Sequence, residues 1–82
     1  MRIKVRFLCV DILPGKGNGE IEIADGTTIA DALAICAKQS GIDMPMKQLL
    51  ESMLLVNSAP AQPNRVLRDG EELSVIRTLK GG

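Results

Sequence analysis

An α+β chain, with one small sheet lying against one main helix, is what this sequence predicts, and three observations carry the prediction. Two segments near the start alternate apolar and charged residues at period two; the stretch after Gly26 repeats its apolar residues at helical spacing; and the second half is a series of short apolar runs cut by Asn, Asp, Gly and Pro. Their order is strand, strand, helix, then two or three strands, which places the strands in one layer with the helix across it. Eighty-two residues leave room for a single core, so 1–82 reads as one domain with a flexible tail over 78–82.

From Arg2 to Val10, Ile3, Val5, Phe7 and Cys9 point to one face while Arg2, Lys4 and Arg6 point to the other. Turn residues fill 11–19, and Glu20 to Ala24 resumes the alternation with Ile21 and Ile23 inward. The two strands form a hairpin with a wide loop, and Glu20 and Glu22 face the basic row, each cross-strand pair contributing about 0.2–1 kcal/mol. Gly15-Lys16-Gly17 has neither the spacing nor the following helix of a phosphate-binding loop; it is turn chemistry.

Thr28 caps a helix, with Asp31 three residues on, and Ile29, Ala32, Leu33, Cys36 and Ala37 form its buried stripe. Lys38 suits the negative end of the helix dipole and Gly41 ends the helix. A shorter helix starts near Pro45 with Met46, Leu49, Leu50 and Met53 on one side, the methionines filling gaps in a core poor in aromatics. Leu54 to Asn57 is a short strand, Ser58 to Asn64 an irregular connection, and Arg65 to Leu67 a brief edge strand. Asp69-Gly70 turns the chain into a last strand from Glu71 to about Arg77. There Leu73 and Val75 face the core, and Ile76 lies on the opposite face beside the tail.

Composition removes several classes of function. Phe7 is the only aromatic residue, and ten basic residues balance ten acidic ones, so the chain lacks both the stacking platforms and the positive field of a nucleic-acid binder. No apolar run approaches the roughly 18–20 residues of a membrane span, which points to a cytoplasmic protein without a membrane partner. There is no histidine, and two cysteines cannot complete a zinc or iron–sulfur site. Cys9 and Cys36 are expected as buried thiols in a reducing compartment, and an independent enzyme is not expected.

The chain ends in Gly81-Gly82, and a terminal Gly-Gly arises by composition in about one chain in two hundred. The tail therefore carries weight only with the body before it. Ile3-Lys-Val-Arg-Phe-Leu8, the capped Gly26-Thr-Thr-Ile-Ala-Asp-Ala-Leu33, Leu55-Val-Asn57, Leu67-Arg-Asp-Gly-Glu-Glu-Leu73 and the final Gly81-Gly82 come in the order of the MoaD/ThiS family of ubiquitin-like sulfur carriers, which the chain resembles over its whole length. The Val-Asn and Asp-Gly-Glu-Glu segments resemble the molybdopterin synthase small subunit more than the thiamine-pathway carrier. The resemblance implies a β-grasp fold, a mixed four- to five-stranded sheet packed against one main helix.

It also implies a chemistry. An E1-like enzyme would use ATP to adenylate Gly82, a sulfur donor would displace AMP to leave a thiocarboxylate, and the sulfur would pass to an intermediate held by an acceptor such as the molybdopterin synthase large subunit. The carrier binds no cofactor and holds its sulfur covalently. The residues permit this: a terminal carboxylate with a pKa near ~3.5 is an anion at neutral pH and must be activated before it reacts. Thr78 to Gly82, extended, reaches about 17 Å, and Gly81 and Gly82 have no Cβ to obstruct a narrow channel. Ile76, Thr78, Leu79 and Lys80 are then the expected partner contacts. Leu79-Lys80 also resembles the tails of ubiquitin-like modifiers, which are joined through the terminal carboxylate to a lysine amine; that reading, and the thiamine pathway, stay as alternatives.

Overall fold

The computed structural model describes residues 1–9, 15, 17–43 and 45–77. Its elements in chain order are β1 (Arg2–Cys9), β2 (Gly19–Glu22), α1 (Ile29–Ser40), α2 (Met46–Glu51), β3 (Met53–Val56), β4 (Ala59–Pro60) and β5 (Glu72–Arg77). They build one mixed sheet in the order β2-β1-β5-β3-β4, with the first and last long strands parallel at its centre and every other pair antiparallel. This is the α+β arrangement expected from the sequence, in its five-stranded form. Among the described residues no helix is long and apolar enough to cross a membrane.

Period two sorts β1 as predicted: Ile3, Val5, Phe7 and Cys9 are buried while Arg2, Lys4, Arg6 and Leu8 are exposed. Leu73 and Val75 of β5 and Leu54 and Val56 of β3 continue the buried surface across the sheet. Against it α1 lays Ile29, Ala32, Leu33 and Cys36, all buried, with Ala37 at the margin. The Thr28 hydroxyl accepts a hydrogen bond from the Asp31 N–H at 3.3 Å. At the other end Gly41 turns left-handed, with φ 65°, and the Ile42 N–H donates to the Ala37 carbonyl at 2.9 Å, closing the helix as a glycine stop should. Both cysteines are buried thiols, and burial pushes the Cys36 thiol above its ordinary range despite a hydrogen bond with Ser40.

Three expectations need correction. Met53 is not on the inner side of the short helix. That helix ends at Glu51, Ser52 caps it in extended conformation, and Met53 opens β3 with its side chain in solvent. Asn57 does not extend the strand, because Asn57 and Ser58 both take positive φ, 51° and 70°, and reverse the chain in two residues. Ala59 and Pro60 then pair back on β3, so part of the connection predicted as irregular is β4. Arg65 to Leu67 does not join the sheet edge. It lies against the start of α1, where Thr28 and Val66 form an isolated bridge, the Leu67 N–H donates to the Thr27 carbonyl and the Ile29 N–H donates to the Arg65 carbonyl.

The end of the sheet opposite the tail is tied by directed bonds. The Met1 ammonium donates to the Ile23 carbonyl at 2.8 Å, the Arg2 N–H donates to the Asp69 carboxylate at 2.8 Å, and the Gly70 N–H donates to the Arg2 carbonyl at 2.8 Å. Glu71, buried just before β5, takes two bonds from the Arg65 guanidinium at 3.0 and 2.9 Å and one from the Arg68 N–H at 2.6 Å. The Arg65 pair, reinforced by Arg68, holds the Glu71 carboxyl below the usual carboxylate range, against the opposing effect of burial.

Candidate functional site

Gly81 and Gly82, with Thr78, Leu79 and Lys80, lie outside the described residues. What the structure describes is the surface from which they leave. β5 runs parallel to β1 in the centre of the sheet, so its last residues, Ile76 and Arg77, come level with the end of β1 at Leu8 and Cys9. The tail's root is thereby fixed by two neighbouring strands rather than by a loop.

On the face away from α1, strand register sorts the side chains into rows. Ile76 is opposite Leu8 on one side and Met53 on the other. Ile76 is half-buried between them, while Leu8 and Met53 are 44% and 59% exposed. One row further from the tail, Ser74 lies between Arg6 and Leu55, and beyond that Glu72 is level with Lys4, which faces Glu20 of β2. The face is thus apolar at the tail end and charged at the other. Neighbours opposite one another in a sheet sit close enough for their side chains to form a continuous surface, so Leu8, Ile76 and Met53 make one patch at the tail's root. Adjoining exposed apolar side chains make this row the candidate interaction surface, which scattered single ones would not be.

Of the predicted partner contacts, Ile76 is where the alternation of β5 put it, on the outer face. Leu8 and Met53 were missed. The alternation of β1 already implied an outward Leu8 after Arg6, but Met53 was hidden by its helical spacing from Met46 and Leu49.

The hairpin charges also differ in part from expectation. Arg2 bonds Glu22 at 3.0 Å and Lys4 is opposite Glu20, as predicted. Arg6 has no partner on β2, which ends at Gly19 opposite Val5; its acidic neighbour is Glu72 of β5, at 3.9 Å.

Fold and surface together define a β-grasp domain with an apolar outer row at the far end of β5. No protein-family profile and no curated protein matches the chain. Solved structures do. SAMP1 from Haloferax volcanii superposes with a TM-score of 0.76 at 16% identity over 100% of both chains. Molybdopterin converting factor subunit 1 from Pyrococcus furiosus gives 0.68 at 16% identity, covering 96% of this chain and 99% of its own. The complex of subunits 1 and 2 of molybdopterin-converting factor from Helicobacter pylori contains a chain that gives 0.65 at 23% identity, with 100% of each covered. At these identities the likeness establishes the β-grasp fold.

Proposed function

We propose that this chain is a ubiquitin-like sulfur carrier whose Gly82 carboxylate is adenylated by an E1-like enzyme using ATP and converted to a thiocarboxylate that donates sulfur in cofactor biosynthesis, with molybdopterin as the favoured product. The observation that carries the proposal is the apolar row Leu8–Ile76–Met53 at the root of a tail ending in Gly81-Gly82, on a fold shared with molybdopterin converting factor subunit 1 from Pyrococcus furiosus and with a chain of the Helicobacter pylori complex of subunits 1 and 2. The carrier needs no catalytic group of its own. Its tasks are to dock by the sheet face and to present an unhindered terminal carbonyl carbon, and partner enzymes supply the nucleotide and the sulfur. The Helicobacter pylori assembly of subunits 1 and 2 supports a second docking, onto an acceptor of the large-subunit kind.

Activation exchanges the poor leaving group of a carboxylate for AMP. Attack by hydrosulfide, or by the outer sulfur of a donor persulfide, at the Gly82 carbonyl carbon then forms the C–S bond and breaks the C–O bond to AMP. With a persulfide, a further thiol cleaves the S–S bond of the resulting acyl disulfide and leaves as a disulfide with the donor, and the thiocarboxylate remains. Glycine at both final positions lets the partner's backbone approach that carbon closely. The same activation serves a protein modifier, a reading supported by Leu79-Lys80 before the glycines.

Intact-mass measurement after incubation with an E1-like enzyme, ATP and a sulfur donor tests the proposal. The expected product is the free chain with one oxygen replaced by sulfur, absent when Gly82 is deleted. Adducts joined to target lysines, with no free thiocarboxylate, would favour the modifier; no change in mass would contradict both.

A further inference from the structure

Resting on the carrier reading, we propose that the groove beside the apolar row receives a carboxylate side chain of the docking partner, with Arg6 as the residue that selects it. The groove, about 200 Å³, is lined by Lys4, Arg6, Asn18, Gly19, Glu20 and Glu72. It opens where β2 stops: Gly19, opposite Val5, brings no side chain, and beyond it the Asn18 carboxamide oxygen accepts the Phe7 N–H at 2.8 Å in place of a strand partner.

The charges along this groove are not equivalent. Among the described residues, Arg2 is level with Glu22, and Lys4 stands between Glu20 and Glu72. Arg6 is the outer-face cation of β1 with no acid in register: its neighbour across the sheet is Ser74, and beyond that Leu55. Its ion pair, with Glu72, is long at 3.9 Å, and the two side chains are 51% and 36% exposed. An exposed pair of that length contributes little, so Arg6 gives it up at low cost. Arg6 also precedes Leu8 by two residues on one face, about 6.6–6.8 Å along the strand. A partner that covers Leu8, Ile76 and Met53 must therefore reach the guanidinium, where exclusion of water strengthens a forked bond to a carboxylate. The partner this surface fits has an apolar contact with an acidic residue one row away.

Affinity and association rate for an E1-like adenylating enzyme, measured across a range of ionic strength, test this. Arg6→Glu is expected to weaken binding by about 10–50-fold, chiefly through slower association and with a flatter salt dependence, since paired interface charges act mainly on encounter. Lys38→Glu, the same reversal at an exposed site on α1 across the core from this face, should stay within about twofold, and Glu72→Gln, which removes the competing acid, should leave binding equal or tighter by up to about threefold. Thermal unfolding of each variant confirms that the domain is intact. Binding unaffected by Arg6→Glu would overturn the groove alone, as would equal losses from Arg6→Glu and Lys38→Glu or a loss on Glu72→Gln, which would mean that the partner brings a cation. Failure of the wild type to bind any such enzyme would overturn the carrier reading and the groove with it.

Discussion

Leu73 and Ile76 stand three residues apart on one strand, are both aliphatic, and have opposite roles. Leu73, with Val75, is wholly enclosed between the sheet and α1; Ile76 lies on the other face between two exposed side chains, Leu8 and Met53. The inner face is closed by its own chain, while the outer face at the tail end keeps Leu8 and Met53 exposed. Apolar area on the first contributes to folding, and on the second to association. The same contrast runs along the strands, from the hydrogen-bonded end at Met1, Arg2 and Gly70 to the apolar end beside Arg77.

The largest effect that would sharpen this contrast is on the inner face. Leu73→Ala removes a fully buried side chain from the central strand and should cost about 2–4 kcal/mol in denaturant unfolding. That is a large part of the ~4–12 kcal/mol available to a domain of this size, so a loss below about 1 kcal/mol would break the inner-face account. Gly17→Ala should follow at about 1–3 kcal/mol. Gly17 has φ +81°, and a Cβ there would come within 2.7 Å of the Phe7 ring and 2.8 Å of Ile42, so the backbone at Gly17 would have to shift away from both. Leu8→Asp reverses the pattern: thermal stability should hold, while affinity for the activating enzyme should fall by about tenfold, or ~1.4 kcal/mol. Equal stability losses from Leu8→Asp and Leu73→Ala would mean that the faces do not differ.

The smallest expected effect belongs to the hydrogen-bonded end and depends on pH. The Glu71 carboxyl is held below its unfolded value by Arg65 and Arg68, so its contribution is full above the unfolded carboxylate pKa and is lost as pH falls through the folded one. Glu71→Gln should therefore lower the melting temperature at pH 7 by a few degrees, about 5 °C. The difference from wild type should shrink as both are acidified through the carboxylate range. A gap that widens with acid would contradict the pairing.

How much of this was legible before folding depends on how local the signal is. Period two in β1 and β5, the Thr28 cap and the Gly41 stop are set by backbone geometry within a few residues, and the sequence displays them openly. Asn57-Ser58 was also legible in principle, being an Asn-led pair between an apolar run and Pro60. The parallel pairing of β1 with β5 was not, because it joins residues such as Leu8 and Ile76 from opposite ends of the chain and is decided by shared burial under α1. Met53 misled for a related reason: its spacing fits the helix, but the chain left the helix at Ser52 and reset the period from 3.6 to two. The candidate site was half visible, since outward Ile76 and Leu8 followed from alternation while Met53 and the adjacency of the three came only from register.

The central claim, that this outer row docks the enzyme which loads the tail, is tested most directly by the rate of Gly82 thiocarboxylate formation on Ile76→Asp, measured against carrier concentration. The account predicts a KM raised by about tenfold or more, with the rate at saturation close to wild type, because the reacting carbonyl is untouched and only encounter is weakened. An unchanged KM on a folded variant would contradict it.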